Sequence, residues 1–102
     1  MKLGKVVGSV VATRKHERLV GHKLLMVRQL KPGADGSLVP AKSSNEFTVA
    51  IDLAGAGPGD HVLYTSGSPA RNASSPDFND SPVDEAIIGI VDEANFNTNE
   101  VS

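Results

Sequence analysis

Short runs of β-branched and aliphatic residues, each cut off by glycine, proline or polar residues, constrain this chain more than any other feature, because none sustains a helical stripe. Residues 3–13 set Val6, Val7, Val10 and Val11 around Gly4 and Gly8, which reads as one long curved strand that bends or bulges at its glycines. Residues 23–30 form a second run. Periodicity alone also admits a helix there, but Pro32-Gly33 and Asp35-Gly36 follow at once and favour a hairpin-like connection. Residues 47–53 alternate as a third strand, residues 61–65 leave a glycine-rich turn as a fourth, and residues 86–91 are the last. Residues 66–82, with three prolines among Ser, Gly, Asn and Asp, form the long loop between them. The pattern predicts an all-β fold, a small five-stranded OB-like β-barrel with short helical or turn insertions, with an SH3-like barrel as the competitor. Either is expected to leave open edges for a neighbouring chain to cover.

At 102 residues, with 39% apolar and 22% charged side chains, the chain is sized for one soluble domain, placed over residues 1–93, followed by a polar tail over 94–102. With no cysteine there are no disulfides and no thiolate chemistry. Four aromatics and no tryptophan leave a mostly aliphatic core, and a chain this short buries only about two thirds of the surface its unfolded form exposes. A partner subunit is the expected source of extra stability. No run approaches the roughly 20 apolar residues of a membrane helix. The opening residues superficially resemble a signal peptide, but Gly8 and Ser9 interrupt the apolar stretch and a charged cluster follows, so a strand is the better reading. Net charge is only −2, yet residues 1–31 sum to +7, residues 32–76 to −2 and residues 77–102 to −7. A basic head can therefore pair with an acidic tail, within a chain or between neighbours.

Catalytic or binding chemistry is hard to find. Residues 55–60 (GAGPGD) hold glycines that would let amides approach a phosphate, but the spacing is not GxGxxG and no helix follows, so a tight turn is expected at Gly55, Gly57 and Gly59. Asp52 and Asp60 bracket that turn and are expected to accept hydrogen bonds from its amides. His16, His22 and His61 have no metal-ligand spacing. Asp84 and Glu85 are adjacent, hence on opposite faces of an extended chain, and read as turn or capping residues. The serines at 66, 68, 74 and 75 lie in no GxSxG elbow. Arg14, Lys15, Arg18, Lys23 and Arg28 would make a basic stripe, but the strands offer only Phe47 and Tyr64 as stacking platforms for bases.

Taken in order, several segments resemble the EutN/CcmL family, the pentameric vertex proteins of bacterial microcompartment shells. They are Gly8-Ser9-Val10-Val11-Ala12-Thr13 with Lys15, Leu19-Val20-Gly21 with Lys23-Leu24-Leu25, Ala50-Ile51-Asp52 with Gly55-Ala56-Gly57-Pro58-Gly59, Val62-Leu63, Gly67-Ser68-Pro69-Ala70-Arg71, and Pro82-Val83-Asp84 leading into Ile87 and Ile88. The resemblance implies a homopentamer capping the five-fold corners of a cytoplasmic shell. It further implies hexameric or pseudohexameric tile proteins as partners, and no catalysis, cofactor, metal, nucleic acid or membrane. By the same resemblance, Ser66, Gly67, Ser68, Pro69, Ala70 and Arg71 lie near the five-fold opening or a subunit interface. Pro69 departs from the usual Gly-Ser-Ser-Ala-Arg, and Arg71 is expected to bond a neighbouring subunit. Arg14, Lys15, Asp84 and Asp92 are expected as intersubunit charges. The alternative reading is an OB-fold module binding nucleic acid or a small ligand.

Overall fold

The computed structural model describes residues 1–12, 17, 21–41, 46–66 and 85–95. Strand β1 runs Lys2–Val10, β2 Leu24–Pro32, β3 Leu38–Pro40, β4 Thr48–Asp52, β5 His61–Ser66 and β6 Glu85–Ile90. The sheet order is β1-β5-β6-β4-β2-β3, and an additional β1–β2 pairing joins its two sides. Five strands therefore close into a ring, with β3 folded back on β2 outside it. All pairings in the ring are antiparallel except β4 with β6, which are parallel. This is the OB-like arrangement expected from the sequence. The expected open edges are mostly absent among the described strands, because β1 meets both β2 and β5. The exposed edge that remains is the three-residue β3, which ends at Pro40.

Alternation decides which side chains fill the ring. Val6, Leu25, Val27, Ala50, Ala56, Val62, Tyr64 and Ile87 form one buried cluster, and it is aliphatic apart from the tyrosine. Register shifts between Val6 and Gly8, so β1 bulges where its sequence carries glycine. The bulge sits beside a second constraint: Val6 N–H donates to the Asp60 carbonyl at 2.9 Å and Gly59 N–H donates to the Val6 carbonyl at 2.8 Å. The glycine turn is thereby pinned onto β1. Between β2 and β3, Gly33 N–H donates to the Ser37 carbonyl at 2.7 Å and Gly36 adopts a φ of 91°. The Asp35 carboxylate accepts from Ser37 N–H at 3.1 Å and from its hydroxyl at 2.6 Å, which holds the Asp35 carboxyl below the usual carboxylate range. The hairpin-like turn expected after residue 30 is formed.

Candidate functional site

The glycine turn is built around one buried carboxylate. Asp52 ends β4 and is 8% exposed. Its Oδ1 accepts from the amides of Ala54 at 3.1 Å, Gly55 at 3.1 Å and Ala56 at 3.2 Å. Its Oδ2 lies 3.3 Å from Lys23 Nζ, and that ammonium also donates to the Ala56 carbonyl at 2.6 Å. Asp60 completes the turn by accepting from Gly57 N–H at 2.9 Å. Both aspartates thus bond turn amides, as their bracketing positions implied. The amides are consumed internally, and none of these four is left to cradle a phosphate.

The three glycines of the turn are not equivalent. Gly55 has φ 79° and Gly59 φ 92°, in the left-handed region that resists side chains, whereas Gly57 lies outside that region and a Cβ there would meet nothing within 4 Å. Gly59→Val is expected to cost about 2 kcal/mol or more and Gly57→Val less than about 1 kcal/mol. Urea denaturation of the two variants checks this; equal midpoints would contradict the backbone argument.

A second polar cluster sits at the end of the ring where β5 finishes and β6 begins. Lys2 Nζ lies 3.9 Å from Glu85 Oε1 and 5.7 Å from the centre of the Tyr64 ring, at a cleft of about 140 Å³. Glu85 Oε2 is buried with no hydrogen-bond partner among the described residues. Burial, and secondarily the Glu85 charge, push the Tyr64 phenol above its ordinary value. Because the unfolded chain would ionise near pH 10, this tyrosine favours the fold fully below that value and progressively less as pH rises through its higher folded value. The cleft holds a cation and a carboxylate that face each other. It offers no activated nucleophile among the described residues.

Of the residues singled out from the sequence, Ser66 is the last residue of β5, opposite Glu85. Gly67, Ser68, Pro69, Ala70 and Arg71 lie outside the described residues, as do Arg14, Lys15, His16, Arg18 and Asp84. Asp92 is exposed two positions beyond β6. Glu85 is corrected from a turn residue to the first residue of a strand. Its place follows from antiparallel pairing with Ser66 at the end of β5, which no local signal records. Tyr64 is 2% exposed and sits in the core, so it presents no face for stacking a base. No three His, Asp or Glu side chains converge among the described residues. Sequence reading missed Lys23 as the partner of Asp52 and Lys2 as the partner of Glu85; in each pair the residues are far apart along the chain.

A five-strand ring closed by β1 against β2, with its glycine turn satisfied internally, defines a small OB-like β-domain. A family model described as "Ethanolamine utilisation protein EutN/carboxysome" matches residues 1–92. The chain belongs to this EutN/CcmL family. It is 45% identical over 93 residues to the protein of Salmonella typhimurium named bacterial microcompartment shell vertex protein PduN, covering 90% of this chain and 96% of that one. The solved structure "Ethanolamine utilization protein, EutN" superposes with a TM-score of 0.77 at 44% identity, over 94% of this chain and 91% of the other. The GrpN pentameric microcompartment shell protein from Rhodospirillum rubrum gives a TM-score of 0.72 at 38% identity, over 94% and 98% of the two chains.

Proposed function

We propose that this chain is a structural subunit of a bacterial microcompartment shell, five copies of which form a ring that caps a five-fold vertex. The reading rests on one observation: the chain is 44–45% identical to proteins named shell vertex proteins over about nine-tenths of its own length and of theirs. Geometry supplies the need. Flat hexagonal tiles cannot close into a compact polyhedron without pentagonal units, so hexameric or pseudohexameric tile proteins are the proposed neighbours at the ring's rim. The work is closure rather than catalysis, in the cytoplasm, and it requires shape complementarity at two kinds of interface. Native mass spectrometry of the purified protein should give five copies. Co-expression with hexameric tile proteins should yield closed particles only when this chain is present, and closed particles without it would overturn the reading.

Within the ring, residues 66–71 are proposed to lie at the axis, with Arg71 bonding the neighbouring subunit. Arg14 and Lys15 of one subunit are proposed to face Asp84 and Asp92 of the next, since a head-to-tail ring brings two different patches together. Asp92→Lys is then expected to weaken the ring about tenfold at low salt, with the difference fading above the physiological range. Dilution followed by native mass reads the effect, and a salt-independent wild-type affinity in the variant contradicts it.

A further inference from the structure

We infer that the outward face of β1, β2 and β4, centred on Met26 and Val49, is a surface on which a second copy of this chain seats, an assignment that rests on the ring proposed above. The first observation is in β2. Leu25 and Val27 point into the core, yet Leu24 and Met26 on the opposite face are apolar too, and an uninterrupted apolar run is the mark of a strand covered on both sides. The pairing register then lays out the face. Gly8, Met26 and Val49 form one row across the three strands, and Val10, Leu24 and Ile51 form the next. A Cβ on Gly8 would stand 3.1 Å from Met26 Sδ, so the methionine lies over β1 where the glycine leaves room.

Among the described residues, coverage runs out partway along this face. Ile51 is 2% exposed, whereas Val49, two residues earlier on the same face, is 42% exposed, Val7 beside the bulge is 41% exposed and Phe47 is 50% exposed. Contiguous apolar surface bordered by charge marks an interaction site. Charge identifies the occupant. Lys5 and Arg28 are paired residues on the row next to Met26, while the exposed Asp92 and Glu93 follow β6, which lies on another side of the ring of strands. Each copy thus carries a basic-bordered apolar face and, elsewhere, an acidic segment that complements it, as a head-to-tail ring requires.

Native mass spectrometry and circular dichroism of Val49→Glu and Met26→Glu, with Val11→Glu as control, test the inference. Val11 is 94% exposed and lies beyond the end of β1. Wild type and the Val11 variant should give five copies, and both face variants should give single folded chains. Because the chain has no cysteine, Val49→Cys and Val11→Cys supply a second reading that introduces no charge. In the assembled protein, maleimide should label Val49→Cys at least tenfold more slowly than Val11→Cys, and dilution to single chains should bring the two rates within about threefold. A five-copy Val49→Glu, or fast labelling at position 49 in an intact ring, overturns this face while leaving the shell reading intact. A wild type that is not five copies overturns both.

Discussion

Gly4→Ala is expected to lower the thermal midpoint by about 12–24 °C, although it adds one methyl group. Gly4 sits in β1 among the core residues, opposite Gln29 on β2 and Val62 on β5. A Cβ there would collide with Val27 Cγ1, would stand 2.8 Å from Tyr64 Cε1 and would lie 3.2 Å from the Arg28 carbonyl oxygen. The tyrosine is fixed within the core, and the carbonyl belongs to the backbone of β2, so none of these neighbours gives way cheaply. Overpacking of this kind costs about 3 kcal/mol. In a domain of this size each kcal/mol moves the midpoint about 4–8 °C. Gly8→Ala is the internal control, because its new methyl meets only the flexible thioether of Met26 at 3.1 Å. It should cost less than about 1 kcal/mol. A Gly4→Ala protein that melts beside wild type would mean β1 does not approach β2 and β5 as closely as described.

Asp52→Ala is the second large effect, at about 2–4 kcal/mol, because part-buried and buried amides lose a charged acceptor. The substitution strips three amides of their acceptor, and one of them, Ala56, is fully buried. It also removes the carboxylate facing Lys23. The ranking of related variants separates these contributions. Asp52→Asn keeps an oxygen for the amides but loses charge assistance, and should cost about 1–2 kcal/mol. Lys23→Met should cost no more than about 1 kcal/mol, since that ammonium is largely in water. Equilibrium urea unfolding of the three proteins gives the order. If Lys23→Met proved as damaging as Asp52→Ala, the ion pair and not the amide cap would be holding the turn.

How much of this could be read in the residues depends on how local the signal is. The five ring strands were legible because β-branched runs fill them and glycine or proline bounds them, and the bulge in β1 falls where Gly8 interrupts its valines. The aspartates of the glycine turn were legible for the same reason, since each bonds amides within four residues of itself. β3 was not: three residues ending in proline carry too short a pattern to distinguish from a loop. Nor were the differing torsions of Gly55, Gly57 and Gly59, which look alike as letters but are set by how the turn docks on Val6.

The sequence by itself determined which segments are extended, where the chain turns, and that the core is aliphatic, because those outcomes follow from torsional preference and from alternation over a few neighbouring residues. It also carried the family resemblance, in the order and spacing of short motifs. Only the tertiary structure decided that β1 closes onto β2 as well as β5, that β4 and β6 run parallel, that Lys23 reaches Asp52 and Lys2 reaches Glu85, and which apolar positions remain uncovered. These depend on register between residues distant along the chain, and register is fixed when the whole ring packs at once, so no single segment contains it.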